Sequence, residues 1–202
     1  MVDESKELAK LRVQIDAIDQ EIHALINQRA ACAQRVAEVK QAAAGGELVQ
    51  YYRPEREAQV LRAVMDRNAG PMPDEDIAKL FREIMSCCLA LEKPMKVAFL
   101  GPEGTYTHAA ALKHFGHFVQ AQPMSAIDEV FREVESGQAN YGVVPVENST
   151  EGMVNHTLDS FVNSSIYIAG EVKLRIHHHL LSAKSVEVRD IKRVYSHQQS
   201  LA

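Results

Sequence analysis

The chain has 202 residues, 46% of them hydrophobic, and a formal net charge of −5. That hydrophobic share excludes a largely disordered chain, and the negative balance argues against a general nucleic-acid binder. Three cysteines, two of them adjacent (Cys87 and Cys88), do not make a disulfide framework, and nothing after Met1 has the basic start and apolar stretch of a secretory signal. No apolar run approaches the roughly 20 residues of a membrane span, so a soluble, cytoplasmic protein of one or two domains is expected.

From Leu8 the apolar positions Leu8, Leu11, Ile15, Ile18, Ile22, Leu25 and Ile26, then Ala33, Val36 and Val39, recur at spacings of three and four. This predicts an amphipathic helix from about Ser5 to Ala44, stopped by Gly45-Gly46. At 1.5 Å per residue it extends about 60 Å, far beyond the width of a domain of under 100 residues. Pro54 suits the first turn of a second helix through Val60, Leu61 and Val64, closing at Asn68-Ala69-Gly70. Asp74 is the expected N-cap of a third, carrying Ile77, Leu80, Phe81, Ile84, Met85 and Leu89 and ending before Pro94. Two short helices do not cover the far half of the long one. A homodimer with intertwined long helices solves that burial problem; a coiled-coil tether is the weaker alternative, because the short helices bring apolar stripes of their own.

Polar residues interrupt these stripes. Arg12, Arg29 and Lys40 lie on the long helix, the last two eleven residues apart and near one face. Arg56-Glu57 opens the second helix, and Cys88 and Glu92 share a face of the third at i,i+4 spacing. Spacing alone makes none of them a metal or nucleophile site, and scattered helix charges are usually solvated.

The runs Leu11-Arg-Val-Gln-Ile-Asp-Ala-Ile-Asp19, Ile26-Asn-Gln-Arg-Ala30, Val36-Ala-Glu-Val-Lys40, Tyr52-Arg-Pro-Glu-Arg-Glu57, Leu80-Phe-Arg-Glu-Ile-Met85 and Cys87-Cys-Leu-Ala-Leu-Glu92 change this. Together they resemble the all-helical chorismate mutases, a family of dimers of three-helix chains. The resemblance covers residues 5–92 and implies conversion of chorismate to prephenate, an intramolecular rearrangement that needs no nucleophile, metal or cofactor. Such a site holds a folded dicarboxylate and stabilises charge on the breaking ether oxygen. Guanidinium groups suit the carboxylates, so Arg29 and Arg12 fit as clamps. The resemblance implies that Arg12 reaches the partner subunit's site, that Lys40 contacts the ether oxygen and a carboxylate, and that Glu57 accepts the substrate hydroxyl. Three positions depart from the pattern: Arg53 replaces an aspartate, Cys88 a serine, and Glu92 the ether-binding glutamine. An ionised Glu92 would repel the developing charge, so it is expected to work protonated, with burial raising its pKa and activity favouring mildly acidic pH.

After Lys93-Pro94, Lys96-Val-Ala-Phe-Leu100 reads as a buried strand, followed by the glycine turn Gly101-Pro-Glu-Gly-Thr-Tyr-Thr107 into a helix. Backbone amides there, with the Thr105 and Thr107 hydroxyls, suit a phosphate or carboxylate, although a plain strand-to-helix turn reads equally well. Ser125–Val134 predicts a further helix closed at Gly137, Tyr141–Val146 a strand delivering Glu147–Gly152, His156–Val162 a helix, and Ile166–Leu181 a strand-rich stretch. The alternation predicts an α/β fold. His177-His-His179 on a strand would point to alternate faces and not converge on a metal.

Gly-Pro-Glu-Gly-Thr-Tyr-Thr together with Val-Pro-Val-Glu-Asn-Ser-Thr-Glu-Gly resembles the prephenate dehydratase domain, and the two parts together resemble the bifunctional chorismate mutase–prephenate dehydratases. The implied organisation is a mutase domain at 1–93 and, at 96–202, the first lobe of a periplasmic-binding-protein-like dehydratase domain. Thr105, Asn148, Ser149 and Ser196 match dehydratase positions. That family's Thr-Arg-Phe motif does not occur in the chain, so the dehydratase region is expected to be incomplete and inactive and the phenylalanine-binding regulatory domain absent. Two alternatives are a lyase on the same helical scaffold releasing pyruvate from isochorismate, and a non-enzymatic prephenate- or phenylalanine-binding remnant.

Overall fold

A computed structural model describes residues 4–44, 51–148 and 152–196; the expected stop at Gly45-Gly46 lies outside them. The chain forms two compact units, one of residues 1–96 with 112–120, the other of 97–111 with 121–202.

The first unit is built on three helices: α1 (Glu4–Ala43), α2 (Pro54–Asp66) and α3 (Asp74–Glu92). α3 packs against both α1 and α2. α1 is unbroken over 40 residues and buries none of them. Its stripe stays largely in solvent, with Leu11, Ile15, Ile18 and Leu25 each more than half exposed. Pro54 opens α2 as expected, and Leu61 and Val64 are its buried face. The N-cap of α3 is Pro73, not Asp74: the ring fixes φ at −59°, and Asp74 becomes the first helical residue. Asp74 accepts a 2.7 Å hydrogen bond from the Asn68 amide instead. With Glu75 and Asp76 it also puts three carboxylates at the positive end of the helix dipole.

The second unit is α/β. β1 (Lys96–Leu100), flanked by β2 (Gln120–Met124) and β3 (Tyr141–Val143), forms a sheet of order β2-β1-β3. β1 and β3 are parallel, with Ala98 opposite Gly142. α4 (Tyr106–Phe115) follows the glycine turn, and α5 (Ile127–Glu135) buries Ile127, Val130 and Phe131. Ala98, Val130 and Ala139 form a core on which Met124, Val134 and Val144 pack. β3 ends at Val143 rather than Val146, because Pro145 has no N–H for the ladder. The Pro145 carbonyl instead accepts the buried Thr157 hydroxyl at 2.7 Å, which seats α6 (Asn155–Asn163) beside the strand exit. Asn148 lies in β4 (Glu147–Asn148), paired antiparallel with β5 (Gly152–Met153).

The expected strands over 166–181 are not found among the described residues. Tyr167 and Leu181 are almost wholly exposed and Ile168 largely so, and apolar alternation makes a strand only where a neighbour completes the backbone ladder. His177, His178 and His179 are therefore exposed and lie outside any strand. Beyond them comes a single 3-10 turn at Val188–Asp190.

Gly142 permits the close fit of β3 on α5, since a Cβ there would come within 2.7 Å of Val130 Cγ1. Gly142→Ala is expected to destabilise the protein by about 1–3 kcal/mol. In a urea-unfolding series, adding Val130→Ala should cost less in that background than in the wild type.

Candidate functional site

α1 and α3 bring together the charged residues singled out in the sequence. Arg29 and Lys40, both half-buried on α1, lie close enough to Glu92 at the end of α3 for each cation to act on its charge. Lys40 Nζ also donates to the Tyr51 carbonyl at 3.2 Å and sits 5.9 Å from the centre of that ring. Burial pushes the Glu92 carboxyl above its ordinary value, and the attractions of Lys40 and then Arg29 oppose the rise without cancelling it. Cys88, one turn earlier, is buried.

Glu57, in the first turn of α2, has a side chain only 17% exposed. Arg82 of α3 holds it, with Nε 3.4 Å from Oε1, and the Tyr52 hydroxyl donates to the same carboxylate. The two contacts favour the ionised form, yet burial outweighs them and the Glu57 pKa is raised. Sequence reasoning missed Arg82. The available signal was a guanidinium set among the apolar residues Leu80, Phe81, Ile84 and Met85, where a solvated charge is out of place.

Arg53 is exposed at the N-cap of α2, and its carbonyl receives the Glu57 amide at 3.1 Å. Arg12 is exposed on α1, seventeen residues before Arg29. That is about 25 Å along the helix, too far for both to hold one small molecule within a single chain.

In the second unit the glycine turn is held by its own hydroxyls. Thr105 Oγ1 faces the carbonyls of Leu100 (3.2 Å) and Pro102 (2.9 Å), lies 3.0 Å from Thr107 Oγ1 and accepts the His108 amide. The Gly104 amide donates to His108 Nδ1 at 3.0 Å, and that imidazole stacks on Phe99. The groups expected to greet an anion therefore brace the turn. Thr105, Asn148 and Ser196 lie on three separate segments, and Ser149 lies outside the described residues.

No helix among the described residues is long and apolar enough to cross a membrane.

The prephenate dehydratase family profile matches residues 97–202, and the type II chorismate mutase profile matches residues 11–93. A bifunctional chorismate mutase/prephenate dehydratase of Stutzerimonas stutzeri is 61% identical over 200 residues, covering 98% of this chain and 55% of its own length. A protein of the same name from Pseudomonas aeruginosa is 61% identical over 197 residues, covering 97% of this chain and 54% of its own. The chain spans about half the length of the curated relatives it matches. A solved chorismate mutase from Thermus thermophilus is 32% identical with a TM-score of 0.40, covering 43% of this chain and 94% of its own.

The raised Glu92 pKa has a stability consequence. Protonation favours the fold, so the stabilisation is complete below the ordinary carboxylate value of 4.5 and is lost as pH rises through the higher folded value. Glu92→Gln removes this dependence. Its urea midpoint should exceed the wild type's at pH 7, and the gap should close on acidification to pH 4.

Proposed function

We propose, for a chain that belongs to the prephenate dehydratase family and carries a type II chorismate mutase domain before that region, that it converts chorismate to prephenate. The observation that carries this reading is the grouping of Arg29, Lys40 and Glu92 where α1 meets α3, with Glu57 held on α2 by Arg82 of that same α3. Arg29 binds a substrate carboxylate, Lys40 the ether oxygen and a carboxylate, and protonated Glu92 the ether oxygen. Glu57 accepts the substrate hydroxyl, and exposed Arg53 and buried Cys88, one turn before Glu92, contribute to substrate binding. The rearrangement breaks a C–O bond and forms a C–C bond within one molecule. The protein therefore has only to hold the folded conformer and meet the charge gathering on oxygen.

The working unit is a homodimer in which a second copy covers the α1 stripe and supplies Arg12. Two features support this: the length of exposed apolar helix and the distance between Arg12 and Arg29. Residues 1–93 act as the mutase domain. Residues 96–202 belong to the dehydratase, where Thr105, Asn148, Ser149 and Ser196 contribute to a prephenate site. The compartment is the cytoplasm, where aromatic precursors are made.

Incubation with chorismate, following prephenate and phenylpyruvate separately, tests the assignment. Prephenate formation is expected, and its absence would remove the reading; phenylpyruvate would assign the second activity to the same chain. Arg29→Ala should lower kcat/KM roughly 10–100-fold, the loss of a charge-assisted carboxylate contact. Because Glu92 must be protonated, kcat/KM should fall as pH rises through its elevated pKa, and Glu92→Gln should flatten that limb. Ile18→Glu, within the α1 stripe, should shift the sedimenting species toward monomer and abolish most turnover.

A further inference from the structure

The end of α4 lies against the mutase helices. Residues 112–120 fall in the stretch matched by the dehydratase profile, yet they belong to the helical unit. Their seating on α3 is close. Gly116, at φ +81°, rests on Ser86 so tightly that a Cβ there would come within 2.5 Å of the serine Cβ. Next to it, His117 grips Glu83 twice, its amide 3.0 Å from Oε2 and its ring Nδ1 2.8 Å from Oε1.

The residue before that turn faces Tyr52, one of the groups that hold Glu57. Phe115 meets the Tyr52 ring edge to face, with centroids 5.7 Å apart, and the His114 ring meets Phe115 at 4.6 Å. Arg82 is near enough to His114 to act on its charge, and with burial it disfavours the imidazolium. Tyr52 and Arg82 are the side chains that bond the Glu57 carboxylate. Tyr52 is thus backed by Phe115, from the end of α4.

We infer that this segment completes the mutase site: Phe115 holds Tyr52 against Glu57, and so fixes the carboxylate that receives the substrate hydroxyl. Phe115, Tyr52 and Arg82 are positioning residues, acting through Glu57 rather than touching substrate. The inference rests on the mutase reading for its functional meaning, but the geometry it asserts is measurable without turnover.

A double-mutant cycle in the full chain tests it. Phe115→Leu keeps an apolar side chain and removes the ring edge that Tyr52 meets. In the wild-type background kcat/KM should fall about fivefold, and in a Glu57→Gln background by less than about twofold, since the residue acted upon is already altered. Equal losses in both backgrounds, or none in the first, would overturn the inference. His117→Ala, at an exposed position, loosens the same segment should Phe115→Leu unfold; the same non-additivity with Glu57→Gln is expected. Independently of activity, the carboxyl carbon-13 resonance of Glu57 should move in Phe115→Leu, and an unmoved resonance would also overturn the inference. If the wild type fails to turn over chorismate, the functional reading falls alone, and the Glu57 resonance still decides whether the segment holds the carboxylate.

Discussion

α3 is the member on which the rest of the candidate site depends. It packs on both α1 and α2, and a helix carries different side chains on different faces because successive residues turn by about 100°. Cys88 and Glu92 share the face that meets Arg29 and Lys40. Glu83 and Ser86 point to another side, where residues 116 and 117 lie. Arg82 stands between these faces and reaches Glu57 on α2. A shift of α3 along its axis would therefore disturb both glutamates together.

The two glutamates share one electrostatic logic. Each faces cations or donors that favour its charged form, and in each burial prevails. For Glu57 the outcome is a carboxylate pinned by Arg82 and Tyr52, well suited to accept a hydroxyl proton in a hydrogen bond. For Glu92 it is a carboxyl poised to keep its proton at higher pH than a solvated one. A dicarboxylate substrate would press in the same direction, adding negative charge beside a group already reluctant to ionise. An acid can in this way stand where a neutral amide serves in the related pattern.

Much of this was legible in the sequence, and the unread parts have two causes, one local and one not. Apolar residues at three–four spacing gave α1, α2 and α3 nearly to their ends, and the run Val97-Ala-Phe99 marked the buried strand. These signals are local. Pro73 displaced Asp74 from the cap through ring geometry, and Pro145 shortened β3 through a missing donor, both readable with closer attention to proline. The strands expected over 166–181 depended on a partner that periodicity does not supply. Arg82 and the seating of residues 114–117 were hidden because each acquires its role from a residue distant in sequence: Arg82 from Glu57, Phe115 from Tyr52, Gly116 from Ser86.

That last pair sets a rule of inheritance. A backbone at φ +81° resting directly on a serine leaves no room for growth on either side. The two positions lie in stretches matched by different family profiles, which evolution could otherwise reshuffle as separate parts. Here they must drift in step: a bulkier residue at position 86 would expel the turn, and any side chain at position 116 would be both strained and obstructed. Grafting the helical half of one relative onto the α/β half of another should succeed only when this small pair is inherited together, so the seam between the two parts is less free to recombine than Lys93-Pro94 suggests.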